Sequence, residues 1–317
     1  MKLIVQIPCL NEARDIAGVI QAVPRQIEGV DRVEVLVVDD GSSDGTAAVA
    51  AEAGADHVVI NKKTLGLART FQKGIATALS LGADIIVNTD GDGQYAGHSI
   101  ADLVAPIVRG EADIVVGDRK PGDNTDFSAS KRTLQRVGST VVKTLASIDV
   151  PDAVSGFRAY SREAAMRTTV FTRFSYTTET LIAAGNSGMV VASVPVDTNA
   201  VTRPSRLFNS VRSFVLRQMV TIVRSYIMYR PLRAFMVLGF GMILIGLFPM
   251  VRFVYFYFTD GGAGHVQSLV IGGALLVCGY ITCLVALLSD VVATNRRLEE
   301  EIITILRRME HDEAARD

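Results

Sequence analysis

The chain has 317 residues, and its 32 lysines and arginines nearly balance its 33 aspartates and glutamates, giving a net charge of −1. With 49% hydrophobic residues and a mean hydropathy of +0.31, it is too apolar for an ordinary soluble enzyme. The apolar excess is concentrated after Ala234. The short apolar run 3–7 stops at Pro8 and does not resemble a signal peptide. No disulfide framework is expected from the three cysteines, which are Cys9, Cys278 and Cys283.

The first part of the chain alternates short apolar runs with longer segments of helical character. This alternation is typical of an α/β domain with a mostly parallel sheet. Strands are predicted over residues 2–7, 33–38, 57–60, 84–87 and 113–116. Helices are predicted over residues 12–23, 46–53 and 67–79, with Asp44 as a candidate cap of the second.

Polar residues directly follow four of these strands, in segments 8–12, 39–44, 90–94 and 117–119. Parallel sheets bind ligands at the carboxyl ends of their strands, so we expect the four segments to line one crevice. The crevice would be acidic, and clustered carboxylates are costly without a cation. Neither a phosphate-binding lysine loop nor a glycine-rich dinucleotide motif follows the first strand. A nucleotide diphosphate in this crevice would therefore be held by a metal ion.

The sequence NTDGDGQY at 88–95 contains the candidate metal ligands. The turn at Gly91 and Gly93 allows Asp90, Asp92 and the amide oxygen of Gln94 to converge on one point. Hard oxygen ligands suit Mg²⁺ or Mn²⁺, which leave coordination positions open for substrate phosphates. An isolated Asp/Gly turn more often only connects a strand to a helix. The metal interpretation is preferred because of the rest of the chain.

Six motifs occur in matching order over roughly residues 1–230. They are PCLNE at 8–12, VVDDGSSDGT at 37–46, GLARTFQKG at 66–74, DGDGQY at 90–95, VGDR at 116–119 and VSGFRAYSRE at 154–163. Together they resemble glycosyltransferase family 2, and most closely its dolichyl/polyprenyl-phosphate sugar synthase branch. The resemblance implies an α/β fold of the GT-A (nucleotide-diphospho-sugar transferase, Rossmann-like) type. It also implies an inverting sugar transfer and a divalent cation, Mg²⁺ or Mn²⁺.

Carried over position by position, the resemblance implies roles for individual residues. The residues expected to line the nucleotide pocket are Pro8, Asn11, Glu12, Asp39 and Asp40, with Asp39 reaching the base. The metal and the diphosphate would be held by Asp90, Asp92 and Gln94. Arg119 of VGDR would contact phosphate.

The resemblance also implies basic residues that receive a lipid phosphate. Lys131 and Arg132 occupy one such place, and Arg203 and Arg206 the other. The second motif, RPSR, departs from the family's R-G-x-S-K pattern by Pro for Gly, one residue fewer and Arg for Lys. Its positive charge is kept. The alternative for each residue is a solvated surface cation.

Glu179 precedes an apolar segment that is predicted to be helical. One interpretation is that its carboxylate orients the donor sugar. The other is an acid at a helix N-terminus, where the helix dipole favours negative charge. The second interpretation is preferred.

No acidic residue occurs between Asp197 and Asp260, whereas several arginines precede the first long apolar segment. Apolar residues recur near helical spacing within 207–229 and also within the earlier basic stretch 131–148. Such helices can lie on anionic lipid or pack on the domain core. The membrane interpretation is favoured for 207–229, and both stay open for 131–148.

Residues 234–258 are apolar except for Arg252, and residues 267–289 carry no charge. At about 1.5 Å per residue, each exceeds a hydrocarbon thickness of about 30 Å. Arginines flank the two segments, but the connection 259–266 contains neither Lys nor Arg. The positive-inside rule then puts both termini and the catalytic domain in the cytoplasm. Arg252 would extend its charged end to the outer interface.

These observations predict a multi-pass plasma-membrane enzyme. It would move one sugar from a nucleotide-diphosphate sugar to polyprenyl phosphate on the cytoplasmic leaflet. We expect no nucleic-acid partner and a homo-oligomer formed through the transmembrane helices. The predicted segments are a catalytic domain at 1–206, an amphipathic helix at 207–233, two transmembrane helices within 234–290 and a charged helical tail at 291–317.

Two alternative functions compete with this prediction. A processive polysaccharide synthase uses a Q-x-x-R-W motif, and this chain contains no tryptophan. A non-catalytic membrane scaffold would have no need for intact Asp90, Asp92, Gln94 and Arg119. The sugar and the base are read by pocket shape and follow from no motif.

Overall fold

The computed structural model describes residues 1–119, 148–170, 176–199, 220, 223–224, 226–261 and 264–314. The chain divides into two compact units. The first comprises Met1–Ile222 together with Glu301–Asp317, and the second is Val223–Glu300. The C-terminal end therefore belongs to the first unit, whereas the sequence predicts a separate charged helical tail at 291–317.

The first unit is built on a seven-stranded sheet. Its strands are β1 (Lys2–Cys9), β2 (Arg32–Asp39), β3 (His57–Ile60), β4 (Ile85–Asn88), β5 (Ile114–Asp118), β6 (Arg158–Ser161) and β7 (Val191–Pro195). Its described helices are α1 (Ile16–Ala22), α2 (Thr46–Glu52), α3 (Leu67–Ser80), α4 (Ser99–Val108), α5 (Arg162–Arg167) and α6 (Tyr176–Asn186).

The strand order is β3-β2-β1-β4-β6-β5-β7. The pairs β1–β2, β1–β4, β2–β3 and β5–β7 are parallel, and β6 is antiparallel to both β4 and β5. Because β6 reverses direction relative to each neighbour, β5 runs in the same direction as β4. The carboxyl ends of β1, β2, β4 and β5 therefore lie at one edge of the sheet. The predicted α/β class is confirmed.

The central strands are buried because helices cover both faces of the sheet. Successive side chains along β1 point to opposite faces of the sheet, as the two-residue period of a strand requires. Leu3 belongs to the apolar core together with Ile20 of α1 and Leu103 of α4. On the opposite face, Gln6 lies so close to Gly74 of α3 that a Cβ on Gly74 would come within 2.1 Å of the amide oxygen.

The chain enters α1 later than the sequence predicts. Asn11 has a φ of 57°, in the left-handed region, which interrupts a helix. The amides of Asp15 and Ile16 then both donate to the Glu12 carbonyl at 3.0 Å, so residues 12–15 form a turn before the helix. Asp44 also differs slightly from its prediction, because Gly45 is the cap residue of α2 and the Asp44 carboxylate accepts from the Thr46 amide at 3.1 Å.

Two further helices are α7 (Pro231–Asp260) and α8 (Val266–Ala314). The stretches Pro231–Thr259 and Val266–Met309 are long and apolar enough to cross a membrane, and the most apolar 18-residue window of each has a mean hydropathy of 2.3. Only 11% and 17% of their most apolar windows are buried. Both stretches are therefore candidate membrane spans by length and composition.

Glycines let α7 and α8 approach each other at backbone distance within the second unit. A Cβ on Gly239 would lie 2.9 Å from the carbonyl oxygen of Gly279, and one on Gly246 would lie 3.0 Å from that of Gly272. Small residues of this kind allow close packing where lipid supplies no hydrophobic drive for association. The two helices therefore form a tightly packed hairpin.

Candidate active site

The turn after β4 contains the predicted metal ligands. The Asp92 carboxylate accepts a hydrogen bond from the Gln94 amide at 3.1 Å. Asn199 holds the turn from the other side, where its amide donates to the Gln94 carbonyl at 2.9 Å and its side chain donates to the Gly93 carbonyl at 2.8 Å. These bonds use backbone groups and one oxygen of Asp92. The Asp90 carboxylate and the Gln94 side chain are not needed to hold the turn.

The electrostatic environment of Asp90 is unfavourable for a carboxylate. Burial raises the pKa of Asp90 to about 7, and the nearby Asp92 and Glu12 carboxylates raise it as well, against the opposing effect of Arg119. A carboxyl group whose pKa is raised in this way binds a proton more readily than a free carboxyl group does. A cation bound between Asp90 and Asp92 would stabilise both ionised carboxylates.

Arg119 directly follows β5 and pairs with Asp152, which lies in the turn before β6. Its Nε donates to one oxygen of Asp152 at 2.6 Å and its Nη2 to the other at 3.0 Å. The arginine side chain is 10% exposed and the aspartate is fully buried. The predicted phosphate contact of Arg119 stays a prediction, and Asp152 is a partner that the sequence analysis did not identify.

Gly156 brings the turn before β6 against Asp90. A Cβ at this position would lie 3.2 Å from both carboxylate oxygens of Asp90 and 2.9 Å from the Tyr176 hydroxyl. Asn88, at the end of β4, donates from its side chain to the Gly156 carbonyl at 2.8 Å and to the Tyr176 hydroxyl at 2.9 Å. The close approach requires glycine, and it fixes the position of Asp90 relative to β6 and α6.

Hydrogen bonds join the loops that follow β1 and β2. The Asn11 amide donates to the Ser42 hydroxyl at 2.8 Å, and the Asn11 side chain accepts from the Ser43 amide at 2.9 Å. The Glu12 amide donates to the Thr46 hydroxyl at 2.9 Å. The predicted crevice segments 8–12 and 39–44, together with Thr46 at the start of α2, thus form one connected wall.

Pro8, Asp39 and Asp40 lie in or next to the paired ends of β1 and β2. Asp39 is almost fully buried, and one of its oxygens accepts from the Ser42 amide at 2.9 Å. Asp40 has a structural task that the sequence did not predict. Its carboxylate accepts from the Asn61 side chain at 2.9 Å and from the amides of Leu65 and Gly66 at 2.8 Å, which holds the loop before α3. Contacts of these residues with a nucleotide stay predictions.

The predicted lipid-phosphate ligands Lys131, Arg132, Arg203 and Arg206 lie outside the described residues. Most of the two amphipathic segments 131–148 and 207–229 lies outside them as well. Glu179 is described, and it lies in the first turn of α6, as the helix-dipole interpretation requires. It is fully buried, which that interpretation did not predict.

The donor set at the turn after β4 fits a hard divalent cation, since it offers two carboxylates and one amide oxygen. Among the described residues, no group of three or more His, Cys, Asp or Glu side chains is arranged to hold a metal. If such an ion binds, Asp90, Asp92 and Gln94 would hold it and leave room for oxygens of a diphosphate.

An open α/β sheet with an acidic turn after β4 and an arginine after β5 is the arrangement of a GT-A transferase. Residues 4–168 match the profile described as "Glycosyl transferase family 2". The chain belongs to that family and is a glycosyltransferase.

Two relatives illustrate the similarity within the family. The chain is 32% identical over 169 residues to a polyprenol monophosphomannose synthase of Mycolicibacterium smegmatis, covering 51% of this chain and 62% of that protein. The chain thus matches less than two thirds of that relative's length. It is also 28% identical over 301 residues to the glycosyltransferase AglJ of Haloferax volcanii, covering 92% and 93% of the two chains.

A solved structure supports the fold. The glucosyl-3-phosphoglycerate synthase of Mycobacterium tuberculosis, in complex with Mn²⁺, UDP and phosphoglyceric acid, matches with a TM-score of 0.54 at 22% identity. The match covers 70% of this chain and 78% of that chain. It establishes the GT-A architecture of the first unit and nothing finer.

Proposed function

We propose that this glycosyltransferase transfers a single sugar from a nucleotide-diphosphate sugar to polyprenyl phosphate at the cytoplasmic face of the plasma membrane, with inversion at the anomeric carbon. One observation carries the proposal. Asp90 and Asp92 lie with Arg119 at one edge of the sheet, in a chain that also has two candidate membrane spans. The printed name of the mycobacterial relative, a polyprenol monophosphomannose synthase, supports this class of acceptor.

Asp90, Asp92 and Gln94 would hold Mg²⁺ or Mn²⁺ in this proposal. When bound, the metal neutralises negative charge that develops on the departing diphosphate. The Mn²⁺ and UDP in the mycobacterial structure support the choice of ion, although that protein acts on a different acceptor. Pro8, Asn11, Glu12, Asp39 and Asp40 would line the nucleotide pocket, with Asp39 reaching the base.

The transfer needs no general base from the chain. A phosphate monoester is already largely ionised near pH 7, so its oxygen is the nucleophile. That oxygen forms a bond to the anomeric carbon, and the bond from this carbon to the donor diphosphate breaks with its electron pair going to the leaving group. The task of the chain is to align the two reactants and to stabilise the leaving charge, which is the task assigned to Arg119.

The membrane arrangement is also part of the proposal. The two candidate spans would keep the active site close to a lipid-linked acceptor, with both termini in the cytoplasm according to the charge asymmetry. Lys131, Arg132, Arg203 and Arg206 would bind the acceptor phosphate. The spans would also form the contact of a homo-oligomer.

Purified full-length protein in lipid nanodiscs, supplied with undecaprenyl phosphate and a panel of UDP-, GDP- and dTDP-sugars, provides the test. We expect one donor to give a product with one sugar per lipid phosphate, dependent on Mn²⁺ or Mg²⁺ and abolished by EDTA. Several sugars on one lipid would favour a processive synthase. Absence of lipid product with every donor would overturn the proposal.

The acceptor assignment has its own test in Arg206→Ala. Losing a charge-assisted hydrogen bond, worth about 1.5–3 kcal/mol when well placed, should raise KM for polyprenyl phosphate or lower kcat, with donor affinity unchanged. Arg217→Ala is the control, because an arginine that only contacts the lipid surface should cost about 1 kcal/mol and respond strongly to salt. If Arg206→Ala and Arg217→Ala have equal and purely salt-dependent effects, Arg206 contacts only the lipid surface.

A further inference from the structure

The turn at 152–156 contacts the two opposite charges of the active site at once. Its first residue, Asp152, binds Arg119 through both carboxylate oxygens. Its last residue, Gly156, lies against both oxygens of Asp90. Between them, Ser155 is fully buried, and its amide donates to the Asp152 carbonyl at 3.2 Å. This turn therefore sets the positions of Arg119 and Asp90 relative to each other.

The geometry of the ion pair leaves part of Arg119 available. Asp152 engages the Nε and Nη2 edge of the guanidinium group, and among the described residues no bond to Nη1 is formed. The plane of the guanidinium is fixed by two bonds to a fully buried carboxylate. An arginine held in this way presents its remaining N–H groups in one direction, which suits recognition of a phosphate oxygen.

Asp90 is the competing partner for Arg119. It carries the opposite charge and lies against Gly156, in the same turn whose Asp152 binds the arginine. Without Asp152, the electrostatic attraction would draw Arg119 towards Asp90, and the two charges would neutralise each other. A purely structural tie between β5 and the β6 turn would not need charge, since well-packed apolar residues hold such places equally well.

We infer that Asp152 is a positioning residue that holds Arg119 away from Asp90, so that Arg119 binds the donor diphosphate while Asp90 stays free for a cation. The inference rests on the proposed function and adds a residue to it. Asp152 contacts neither substrate nor metal in this scheme. It acts through Arg119, on the part of the donor that leaves.

The test compares Asp152→Asn with wild type in the full-length protein, using Mn²⁺ with UDP, GDP, UMP and GMP as probes in binding titrations. Asparagine keeps the size and one acceptor but removes the charge that fixes Arg119. We expect the affinity for the preferred nucleoside diphosphate to fall about 10-fold while that for its monophosphate is unchanged. If Asp152 has only a structural role, the substitution should lower the affinity for the diphosphate and for the monophosphate equally. That result would overturn the inference.

A double-mutant cycle with Arg119→Gln checks the route of the effect. If Asp152 acts through Arg119, adding Asp152→Asn to Arg119→Gln should cause no further loss of diphosphate affinity. Additive losses would overturn the inference. If Asp152→Asn does not fold, Arg119→Lys replaces it, since lysine keeps the charge and loses the two-pronged contact. A diphosphate affinity equal to wild type in Arg119→Lys would then refute the assignment.

Failure of the proposed function would look different. A wild-type protein that binds no nucleotide in the presence of Mn²⁺ would remove the donor site itself. A wild type that binds UDP or GDP, together with an Asp152→Asn variant that binds the same nucleotide equally well, would remove only the positioning role.

Discussion

At the scale of single residues, Asp92 is the most direct test of the metal site. Asp92→Asn removes a charged ligand but keeps an oxygen that can accept the hydrogen bond from the Gln94 amide. We therefore expect an unchanged fold and a loss of transfer rate of about 100-fold or more, as for other losses of electrostatic stabilisation. The measurement is the rate as a function of Mn²⁺ concentration, together with thermal unfolding.

Asp102→Asn is the matched control for that substitution. Asp102 is an exposed carboxylate in the first turn of α4 and belongs to none of the crevice segments. The same chemical change there should leave the rate and its Mn²⁺ dependence as in wild type. A wild-type rate in Asp92→Asn as well would mean that the metal site lies elsewhere.

Gly156→Ala tests the close approach of the β6 turn to Asp90. The added methyl group would lie 3.2 Å from both Asp90 oxygens and 2.9 Å from the Tyr176 hydroxyl, so the carboxylate or the turn must move. Overpacking of this kind costs about 1–3 kcal/mol of unfolding free energy. Because Asp90 is displaced, we expect weaker Mn²⁺ binding in addition to the lower thermal stability.

Gly18→Ala separates the site effect from the general effect of replacing glycine. Gly18 lies within α1, and a Cβ there meets no atom within 4 Å. Alanine should stabilise the helix by about 0.5–1 kcal/mol, with Mn²⁺ binding unchanged. Equal Mn²⁺ affinity in both variants would show that the position of Asp90 does not depend on Gly156.

The contrast between Asp90 and Asp152 shows what the sequence reveals at this scale. The candidate metal turn can be recognised from a short stretch of sequence, because its aspartates follow a strand and alternate with two glycines. Asp152 became recognisable only through Arg119, which is 33 positions away along the chain. Asp40 gives the converse lesson, because its position in a DDGS motif suggests a ligand contact, whereas its bonds to Asn61, Leu65 and Gly66 serve the loop before α3.

At the scale of secondary-structure elements, the buried parallel strands were recognisable because their apolar runs are continuous. The sequence did not indicate β6, since Arg158 reads as a surface residue. In the structure Arg158 is fully buried and donates to the carbonyls of Ala153, Ser155 and Thr177 and to the hydroxyl of Thr180. These acceptors lie in α6 and in the turn before β6. The strand can therefore form only after segments that are distant in sequence contact Arg158.

The hairpin of α7 and α8 was predicted only as two lengths of apolar sequence. Its packing depends on particular glycines, and Gly239→Leu tests this. A Cβ at Gly239 would lie 2.6 Å from the sulfur of Cys283 and 2.9 Å from the Gly279 carbonyl, so leucine should force the helices apart. We expect Cys283 to react faster with N-ethylmaleimide in detergent, measured by mass spectrometry with the exposed Cys278 as internal reference.

Gly241→Leu is the control on the same helix. A Cβ at Gly241 meets no atom within 4 Å, so the larger side chain should point into lipid or detergent without moving α8. Cys283 labelling should then stay as in wild type. Similar labelling in Gly239→Leu and wild type would indicate that the two helices do not pack through this glycine.

At the scale of the whole molecule, the first unit is discontinuous in sequence because the end of α8 returns to it. Arg307 donates to the Met166 carbonyl at 2.7 Å and to the Thr168 carbonyl at 3.2 Å, and Arg308 pairs with Glu163 at 2.6 Å. These bonds cover the C-terminal end of α5, where helix carbonyls lack intrahelical partners. From the sequence, this stretch is predicted only to be a charged helical tail.

Arg307→Ala should therefore destabilise the first unit. Two hydrogen bonds from a half-exposed guanidinium group to backbone carbonyls are worth about 1–2 kcal/mol together. Arg109→Ala is the control, because within the described part of the chain Arg109 pairs only with Glu111 and both side chains are more than half exposed. Solvent screens such a pair, so its loss should leave the free energy of unfolding nearly unchanged. Chemical denaturation of the full-length protein measures both, and equal effects would mean that the tail does not dock on α5.

This return of the tail changes what a truncated chain should do. A chain ending at Tyr229 keeps the β1, β2, β4 and β5 loops, so Mn²⁺-dependent donor binding should survive. It loses the tail contacts, so its first unit should be less stable than wild type by at least the increment seen in Arg307→Ala.

It also loses both candidate spans, and with them the high local concentration of a lipid-linked acceptor. Turnover on undecaprenyl phosphate in vesicles should fall sharply, whereas turnover on a short, water-soluble isoprenyl phosphate should persist. Arg307→Ala keeps the spans and should therefore lose stability without losing turnover in vesicles. If the folded truncated chain fails to bind donor, residues beyond Tyr229 contribute to the nucleotide pocket. The proposal that the sheet edge alone binds the donor, while the spans serve only the lipid acceptor, would then be wrong.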